Sequence, residues 1–165
     1  MSNKPVIQSS TSPQTANLIS VFLGHHTSGV LTTADAVATP HASVVYYKID
    51  SDFVITFGTK TETQKYKNMQ QNKQVSFLVY DEPTQTVAQV HGQVEEIEDE
   101  SIRDEVIGNM VHASIESSGN ELPPAEKLYA GDYASLRIIP SIIKMAVYAR
   151  PDAEGDDIYE TLLFA

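Results

Sequence analysis

The sequence contains no cysteine, and this absence excludes several classes of protein at once. Disulfide frameworks, thiolate zinc sites, iron–sulfur clusters and cysteine nucleophiles all depend on that residue. Histidine does not replace it as a metal ligand, because the five histidines include no i, i+4 pair and no accompanying acidic motif. We therefore expect no metal site. Glycine-rich dinucleotide fingerprints and Gly-x-Ser-x-Gly elbows are also missing.

Positive charge is scarce: 11 Lys and Arg residues stand against 22 Asp and Glu residues, for a formal net charge of −11. A surface of this sign repels a phosphate backbone, so nucleic acid is not an expected partner. An anionic ligand would need a local cluster of hydrogen-bond donors and lysines to overcome the general field.

The N-terminal stretch MSNKPVIQSSTSPQ lacks an apolar core, so we expect neither a signal peptide nor a membrane anchor, and a cytoplasmic location. A chain of 165 residues is the size of one domain. We predict a single domain over residues 1–165, with a flexible arm at residues 1–12 and an acidic tail at residues 151–165.

Six segments rich in β-branched and aromatic residues, separated by polar turns, predict strands. The segments are GVLTTA, SVVYYKI, FVITFG, VSFLVYD, TVAQVHGQVEEIED and SLRIIPSIIKMAVYA. The link Asp50-Ser51-Asp52 predicts that the second and third strands form a hairpin. Gly92 predicts a bulge or bend, and Pro140 must lie at an edge, a bulge or a strand start.

Three segments have helical character. One begins at the N-cap signal Ser12-Pro13 and runs to about Gly24, the second is TETQKYKNMQQN, and the third is DESIRDEVIGNMVHASI. Strands and helices do not alternate strictly, so the sequence predicts a mostly β (α+β) fold: an antiparallel barrel with peripheral helices.

The segment FGTKTETQKYKN, residues 57–68, concentrates hydroxyl groups and lysines between a strand end and a helix start. Threonine hydroxyls, the free N–H groups of a helix start and lysine side chains together form a plausible phosphate cradle. The alternative is a threonine N-cap followed by solvated lysines. The residues concerned are Thr59, Lys60, Thr61, Thr63 and Lys65.

The longer run FVITFGTKTETQKYKNMQQNKQVSFLVYD resembles a stretch of the pyridoxamine 5'-phosphate oxidase-like FMN-binding split-barrel family. The flanking segments PHASVVYYKIDSDFVITF and VAQVHGQVEEIED are similar to that family too, so the resemblance covers roughly residues 28–98. It implies a six-stranded split barrel with FMN as cofactor. It also implies that Thr63 and Lys65 bind the FMN phosphate with Thr59 beside it, and Gln64 lies at a matching position of the family pattern. Lys60 is a cofactor-binding candidate from the charge of the cradle alone.

The same resemblance places the strand of residues 43–46 along the flavin ring. Side chains alternate along a strand, so Ser43 and Val45 share one face while Val44 and Tyr46 share the other. Only one face contacts the ring, and ordinary barrel core is the alternative for the valines. His41, just before this strand, is either a proton donor near the ring or a side chain at the barrel rim.

Several positions depart from the family pattern. Ser43 stands where the oxidase has a phosphate-binding arginine, and Val87 where it has a glutamine, with Gln89 as the substitute two residues later. The chain has no tryptophan and lacks the C-terminal substrate-binding Arg-His pair. We therefore expect a substrate other than pyridoxamine 5'-phosphate.

The resemblance implies an FMN-dependent oxidoreductase or flavin reductase that works as a homodimer with FMN at the interface. The protein would supply binding and orientation, and the flavin the electron or hydride transfer. The substrate or electron donor is a small molecule, with a nicotinamide dinucleotide as one candidate. Two alternatives stay open: a non-enzymatic flavin- or haem-binding module, and a deazaflavin in place of FMN.

Overall fold

The computed structural model describes residues 5–8, 12–118, 132–148 and 159–165. These residues contain three helices: α1 (Pro13–His25), α2 (Gln64–Gln71) and α3 (Glu100–Ser118). They also contain eight strands: β1 (Ser28–Ala34), β2 (Pro40–Tyr46), β3 (Lys48–Ile49), β4 (Ile55–Lys60), β5 (Gln74–Asp81), β6 (Thr86–Glu96), β7 (Tyr133–Val147) and β8 (Tyr159–Leu163).

The strands form one antiparallel sheet in the order β2-β1-β5-β6-β7-β4-β3, and β8 pairs with the second half of β7. The first and last strands of this path, β2 and β3, are separated in sequence only by Tyr47. The sheet must therefore curl until its two ends meet at that residue. This confirms the predicted antiparallel split barrel with peripheral helices.

The hydrophobic core fills the inside of the curled sheet. Inward residues alternate with outward ones along each strand, as the pattern of β5 shows, with Val75, Phe77 and Val79 buried. Tyr47 lies on the same side, with its ring edge-on to Phe77 at 4.9 Å between centroids. The Tyr47 hydroxyl donates a hydrogen bond of 2.6 Å to the Leu23 carbonyl in α1. This bond ties the closure of the barrel to the helix that covers it.

A β-bulge interrupts the pairing of β6 with β7, as we predicted from Gly92 and Pro140. The pairing register shifts between His91 and Gly92, and Gly92 lies opposite Pro140. A Cβ atom on Gly92 would lie 2.2 Å from the Ile139 carbonyl oxygen. Only glycine allows so close an approach of the two backbones, and proline fits because a bulge interrupts the hydrogen-bond ladder.

The hairpin predicted around residues 50–52 forms only in part. The predicted second strand is divided at Tyr47: β3 pairs with β4 over two residues, whereas β2 pairs along its whole length with β1. The reason is at Tyr47 itself, whose N–H donates to the Thr27 carbonyl at 2.9 Å rather than to β4. The strand count is therefore eight in the described residues, not six.

The two ends of the chain meet on the sheet. Residues 5–8, which the sequence placed in a flexible arm, form main-chain hydrogen bonds with the β8 region: Gln8 N–H donates to the Leu163 carbonyl at 2.9 Å, and Ala165 N–H to the Val6 carbonyl at 2.8 Å. Strand β8 itself was not predicted. The rest of the predicted arm and tail, residues 1–4, 9–11 and 151–158, lies outside the described residues.

The predicted helices are confirmed, and Ser12 caps α1 by accepting the Gln14 N–H at 3.1 Å. None of the helices within the described ranges has both the length and the apolar character needed to cross a membrane.

Candidate functional site

The turn between β4 and α2, residues 59–65, is built on a hydrogen-bonded pair of threonine hydroxyls. Thr59 is 3 % exposed, and its Oγ1 lies 3.1 Å from Thr63 Oγ1. Thr63 is the N-cap of α2: its hydroxyl donates to the Lys60 carbonyl at 2.8 Å and accepts the Tyr66 N–H at 3.4 Å. The Thr63 hydroxyl thus uses its one hydrogen and both lone pairs within the turn.

Because the Thr63 hydroxyl has no free hydrogen, the hydrogen-bond donors to a phosphate must be other groups of the turn. The first N–H groups of a helix have no intrahelical partner, and here the cap takes that of Tyr66. The N–H groups of Gln64 and Lys65 remain at the positive end of the helix dipole. Thr63 therefore shapes the cradle, and the backbone and lysine supply the free donors.

Lys65 is the cation best placed in this turn. It is half-buried, and desolvation lowers the pKa of its amine. Within the described ranges no carboxylate lies within ion-pairing distance of its Nζ. A partly desolvated cation without a counter-ion has unused binding energy for an anion.

Lys60 and Gln64 differ from Lys65 because both already have partners. Lys60 Nζ lies 3.9 Å from the Glu62 carboxylate. Gln64 Nε2 donates to Asn68 Oδ1 at 2.8 Å. Gln64 keeps a second amide hydrogen and its Oε1 for another contact.

The predicted ring strand divides as its alternation requires. Val45 is buried in the core at 6 % exposure, whereas Val44 is 69 % exposed on the other face. Ser43 lies on the Val45 side, and its Oγ is buried without a hydrogen-bond partner in the described part of the chain. Tyr46 packs against the edge of the core. Ser43 pairs with Leu31, which is fully buried, so the Ser43 side chain faces the barrel core.

Gln89 is not close to the turn. It lies on the outward side of the sheet in one cross-strand row with Leu78, Val30 and Val44. Adjacent strands are about 4.8 Å apart, so three strand spacings place Gln89 about 14 Å from Val44. Its Nε2 donates to Ser76 Oγ at 3.2 Å. Thr59 pairs with Ala134 and Gln89 with Lys144, ten residues further along β7, so within one chain Gln89 does not contact a group bound at residues 59–65.

We define the outer face as the outward side of β2, β1, β5, β6, the second half of β7 and β8. It exposes large apolar side chains: Val44 by 69 %, Tyr80 by 54 % and Tyr159 by 51 %. A cavity of about 280 Å³ on this face is lined by Gln89, Lys144, Tyr148 and other residues. Exposed apolar surface of this kind is typical of an interface.

A second cavity, of about 470 Å³, opens where the ring strand ends at Tyr47. Its lining includes Tyr47, Lys48, Asn109, His26, His112 and Glu116. Lys48 Nζ donates to Asn109 Oδ1 at 3.0 Å, and His112 Nδ1 lies 3.7 Å from the Glu116 carboxylate. Leu23, Ile49 and Ala113 also line the cavity, so it offers both polar and apolar contacts to a small molecule.

Sequence reasoning did not identify the buried polar pair beneath the turn. Asn68 and Thr33 are 2 % and 1 % exposed, and Asn68 Nδ2 donates to Thr33 Oγ1 at 3.1 Å. In the sequence Asn68 falls within a polar helix and Thr33 within a strand, and neither pattern reveals a contact across 35 positions. Within the described ranges no three histidine, aspartate or glutamate side chains cluster as metal ligands do.

The chain matches the family model described as pyridoxamine 5'-phosphate oxidase over residues 17–143. It belongs to this family. The match covers both the turn at residues 59–65 and the ring strand, and it confirms the resemblance found in the sequence. No curated protein matches the chain.

Solved structures with the same fold have different described functions. An F420 reductase is 24 % identical with a TM-score of 0.59, over 75 % of this chain and 94 % of that one. PhzG from Burkholderia lata 383, in complex with tetrahydrophenazine-1-carboxylic acid, is 19 % identical with a TM-score of 0.60, over 91 % and 88 %. A heme binding protein from Mycobacterium smegmatis is 14 % identical with a TM-score of 0.64, over 85 % and 57 %. At these identities the likeness shows the fold alone.

The donor set at residues 59–65 fits the phosphate of FMN. A phosphomonoester presents acceptor oxygens and up to two negative charges, and the turn offers two backbone N–H groups and the Lys65 cation. The residues present therefore meet the chemical requirement of that group.

Proposed function

We propose that this protein binds FMN and acts as a flavin-dependent oxidoreductase or flavin reductase. The observation that carries the proposal is the half-buried Lys65, which has no carboxylate partner among the residues that the structure describes, beside free N–H groups at the start of α2. Membership of the pyridoxamine 5'-phosphate oxidase family supports it, because the family match includes this turn. When bound, FMN supplies hydride or electron transfer that no side chain of the chain supplies.

The chain's own residues have distinct tasks in this proposal. Lys65 and the N–H groups of Gln64 and Lys65 bind the phosphate, while Thr59 and Thr63 hold the turn in shape. The strand of residues 43–46 lies along the ring and fixes its plane. A substrate enters the cavity at Tyr47 and Lys48, which continues directly from that strand. Its mixed polar and apolar lining suits a small-molecule substrate or a nicotinamide dinucleotide as electron donor.

The functional form in this proposal is a homodimer that associates through the outer face. Exposed Val44, Tyr80 and Tyr159 supply apolar area, and a two-fold axis brings the same patch of both copies together. This arrangement also gives Gln89 a role. Gln89 of one copy can contact the flavin ring bound to the other copy, although it lies too far from the ring bound to its own chain.

The decisive experiment is an FMN titration of wild type, Lys65→Ala and Lys67→Ala, followed by flavin fluorescence or calorimetry. Loss of one charge-assisted phosphate contact, worth about 1.5–3 kcal/mol, weakens FMN binding by roughly ten- to a hundredfold in Lys65→Ala. Lys67 is an exposed lysine on the same helix, so Lys67→Ala is the matched control for net charge. We expect Lys67→Ala to bind within about threefold of wild type.

Equal affinities in the two variants would move the phosphate away from this turn. The FMN proposal would be contradicted if wild type did not bind FMN. A Soret band on adding haemin would then favour the haem-binding alternative, and binding of a deazaflavin alone would favour the deazaflavin alternative. Oxidation of a nicotinamide dinucleotide by the FMN-loaded protein would establish the reductase activity.

A further inference from the structure

Asn68 lies at the centre of a hydrogen-bonded chain that runs from α2 to β2. Gln64 Nε2 donates to Asn68 Oδ1 at 2.8 Å, and Asn68 Nδ2 donates to Thr33 Oγ1 at 3.1 Å. Thr33 Oγ1 then donates to the His41 carbonyl at 3.4 Å. Both ends of the Asn68 amide are used, and Asn68 is only 2 % exposed. A buried polar chain of this kind is satisfied only in one arrangement.

The direction of the chain is set at its β2 end. The His41 carbonyl can only accept a hydrogen bond, so the Thr33 hydroxyl donates its hydrogen to it. Thr33 Oγ1 must therefore accept from Asn68. Asn68 therefore turns its NH₂ toward Thr33 and its oxygen toward Gln64. Gln64 in turn must present an amide hydrogen to Asn68. The backbone of β2 thus decides the orientation of a side chain in the turn at residues 59–65.

We propose that Asn68 is a positioning residue for the cofactor: its amide orients Gln64 and holds the start of α2 at a fixed distance from the ring strand. This inference rests on the proposed FMN site. FMN spans from a phosphate at the start of α2 to a ring along β2, so the two binding elements must keep one separation. The buried Asn68 side chain connects these two elements. It donates to Thr33, and Thr33 donates to the His41 carbonyl of β2, two residues before Ser43.

The substitution Asn68→Asp tests this idea because its chemistry depends on pH. A carboxylate cannot donate to Thr33, whereas a protonated carboxyl has one donor and one acceptor, as the amide does. Burial raises the pKa of such a carboxyl, so lowering the pH restores the donor. We expect FMN affinity about tenfold below wild type at pH 8 and within about threefold of wild type at pH 5.5.

Ionisable side chains also lie on the elements around Asn68, so each variant is compared with wild type at the same pH. These groups are Lys65 and Tyr66 on α2, His41 on β2 and Glu96 at the end of β6, while β1 carries no titratable side chain. The control Asn68→Leu has a similar volume and no polar atom. We expect it to bind FMN equally weakly at both pH values.

Two further variants keep the test informative if Asn68→Asp fails to fold. Thr33→Val removes the hydroxyl link and should weaken FMN binding, whereas Thr33→Ser retains the link and should bind as wild type does. Wild-type affinity in Asn68→Asp at pH 8, or a loss of the same size at both pH values, would overturn the positioning role. Failure of wild type itself to bind FMN would overturn the proposed function too, so the two failures are distinguishable.

Discussion

The turn at residues 59–65 and the outer face of the sheet distribute polar and apolar groups in opposite ways. Around the turn, polar side chains are buried: Thr59, Asn68 and Thr33 are each at most 3 % exposed and are hydrogen-bonded. On the outer face, Val44 and Tyr80 are more than half exposed. Burying a polar group and exposing a large apolar one both cost free energy unless a partner compensates. The polar groups of the turn have internal partners, whereas the outer face exposes its apolar side chains, and this contrast motivates the proposed dimer interface.

The largest effect should come from charging the outer face. The double substitution Val44→Glu and Leu78→Glu places four like charges at the proposed two-fold interface. We expect the dimer dissociation constant to rise by more than about a hundredfold, since a buried unpaired charge costs several kcal/mol. Analytical ultracentrifugation would measure it. Asn17→Glu, on the exposed side of α1, is the control and should stay dimeric.

A monomeric wild type would refute the proposed dimer outright, and a dimeric double variant would place the interface elsewhere. In either case the turn keeps its internal hydrogen bonds. FMN binding by a stable monomer would then show that the outer face takes no part in holding the cofactor.

An intermediate effect, on the free energy of unfolding, should follow from replacing a threonine by valine in each of the two regions. Thr59→Val removes one of the two hydrogen bonds that Thr63 Oγ1 accepts, at a cost of about 0.5–1.5 kcal/mol. Thr161→Val, on exposed β8, should change the free energy of unfolding by less than about 0.5 kcal/mol. Urea denaturation of both variants measures the contrast. Equal losses would show that the turn is not held by its hydroxyl pair.

The smallest effect concerns the stability of the protein without FMN. Burial lowers the pKa of Lys65, so between that pKa and the ordinary value of 10.5 the unfolded chain binds more protons and stability rises with pH. Below this window the charged amine destabilises the fold. Lys65→Met should therefore be slightly more stable than wild type at neutral pH, and this advantage should shrink as pH approaches 10.5.

Thermal unfolding across pH 7–10.5 would follow this difference, and adding FMN should reverse the ranking because only wild type keeps the full phosphate site. A Lys65→Met advantage that does not change with pH would point to packing and not to the buried charge.

Local sequence was sufficient for several features of the fold and the site. The Thr63 cap, the Ser12-Pro13 helix start and the bulge at Gly92 were each predictable from one short segment, because neighbouring residues decide them. The family resemblance extended this to the place of a phosphate site. It did not reveal that the Thr63 hydroxyl is fully used within the turn, because that depends on where the Lys60 carbonyl lies.

Other features required contacts between distant segments. The division of the second strand at Tyr47 depends on bonds to Thr27 and Leu23, and the docking of β8 depends on the second half of β7. Gln89 was predicted to contact the cofactor, and only cross-strand register shows that it lies about 14 Å from Val44 within one chain.

By itself, the sequence determined the strand and helix types, the absence of cysteine chemistry and the chemical character of residues 57–68. Only the tertiary structure decided that Lys65 is half-buried with no carboxylate partner in the described residues and that Asn68 links α2 to β2. The physical reason is the range of the interactions. Helix and strand propensities and helix capping act between residues that are close in the sequence. Burial, desolvation and hydrogen-bond satisfaction depend on atoms that the curled sheet brings together from distant parts of the chain.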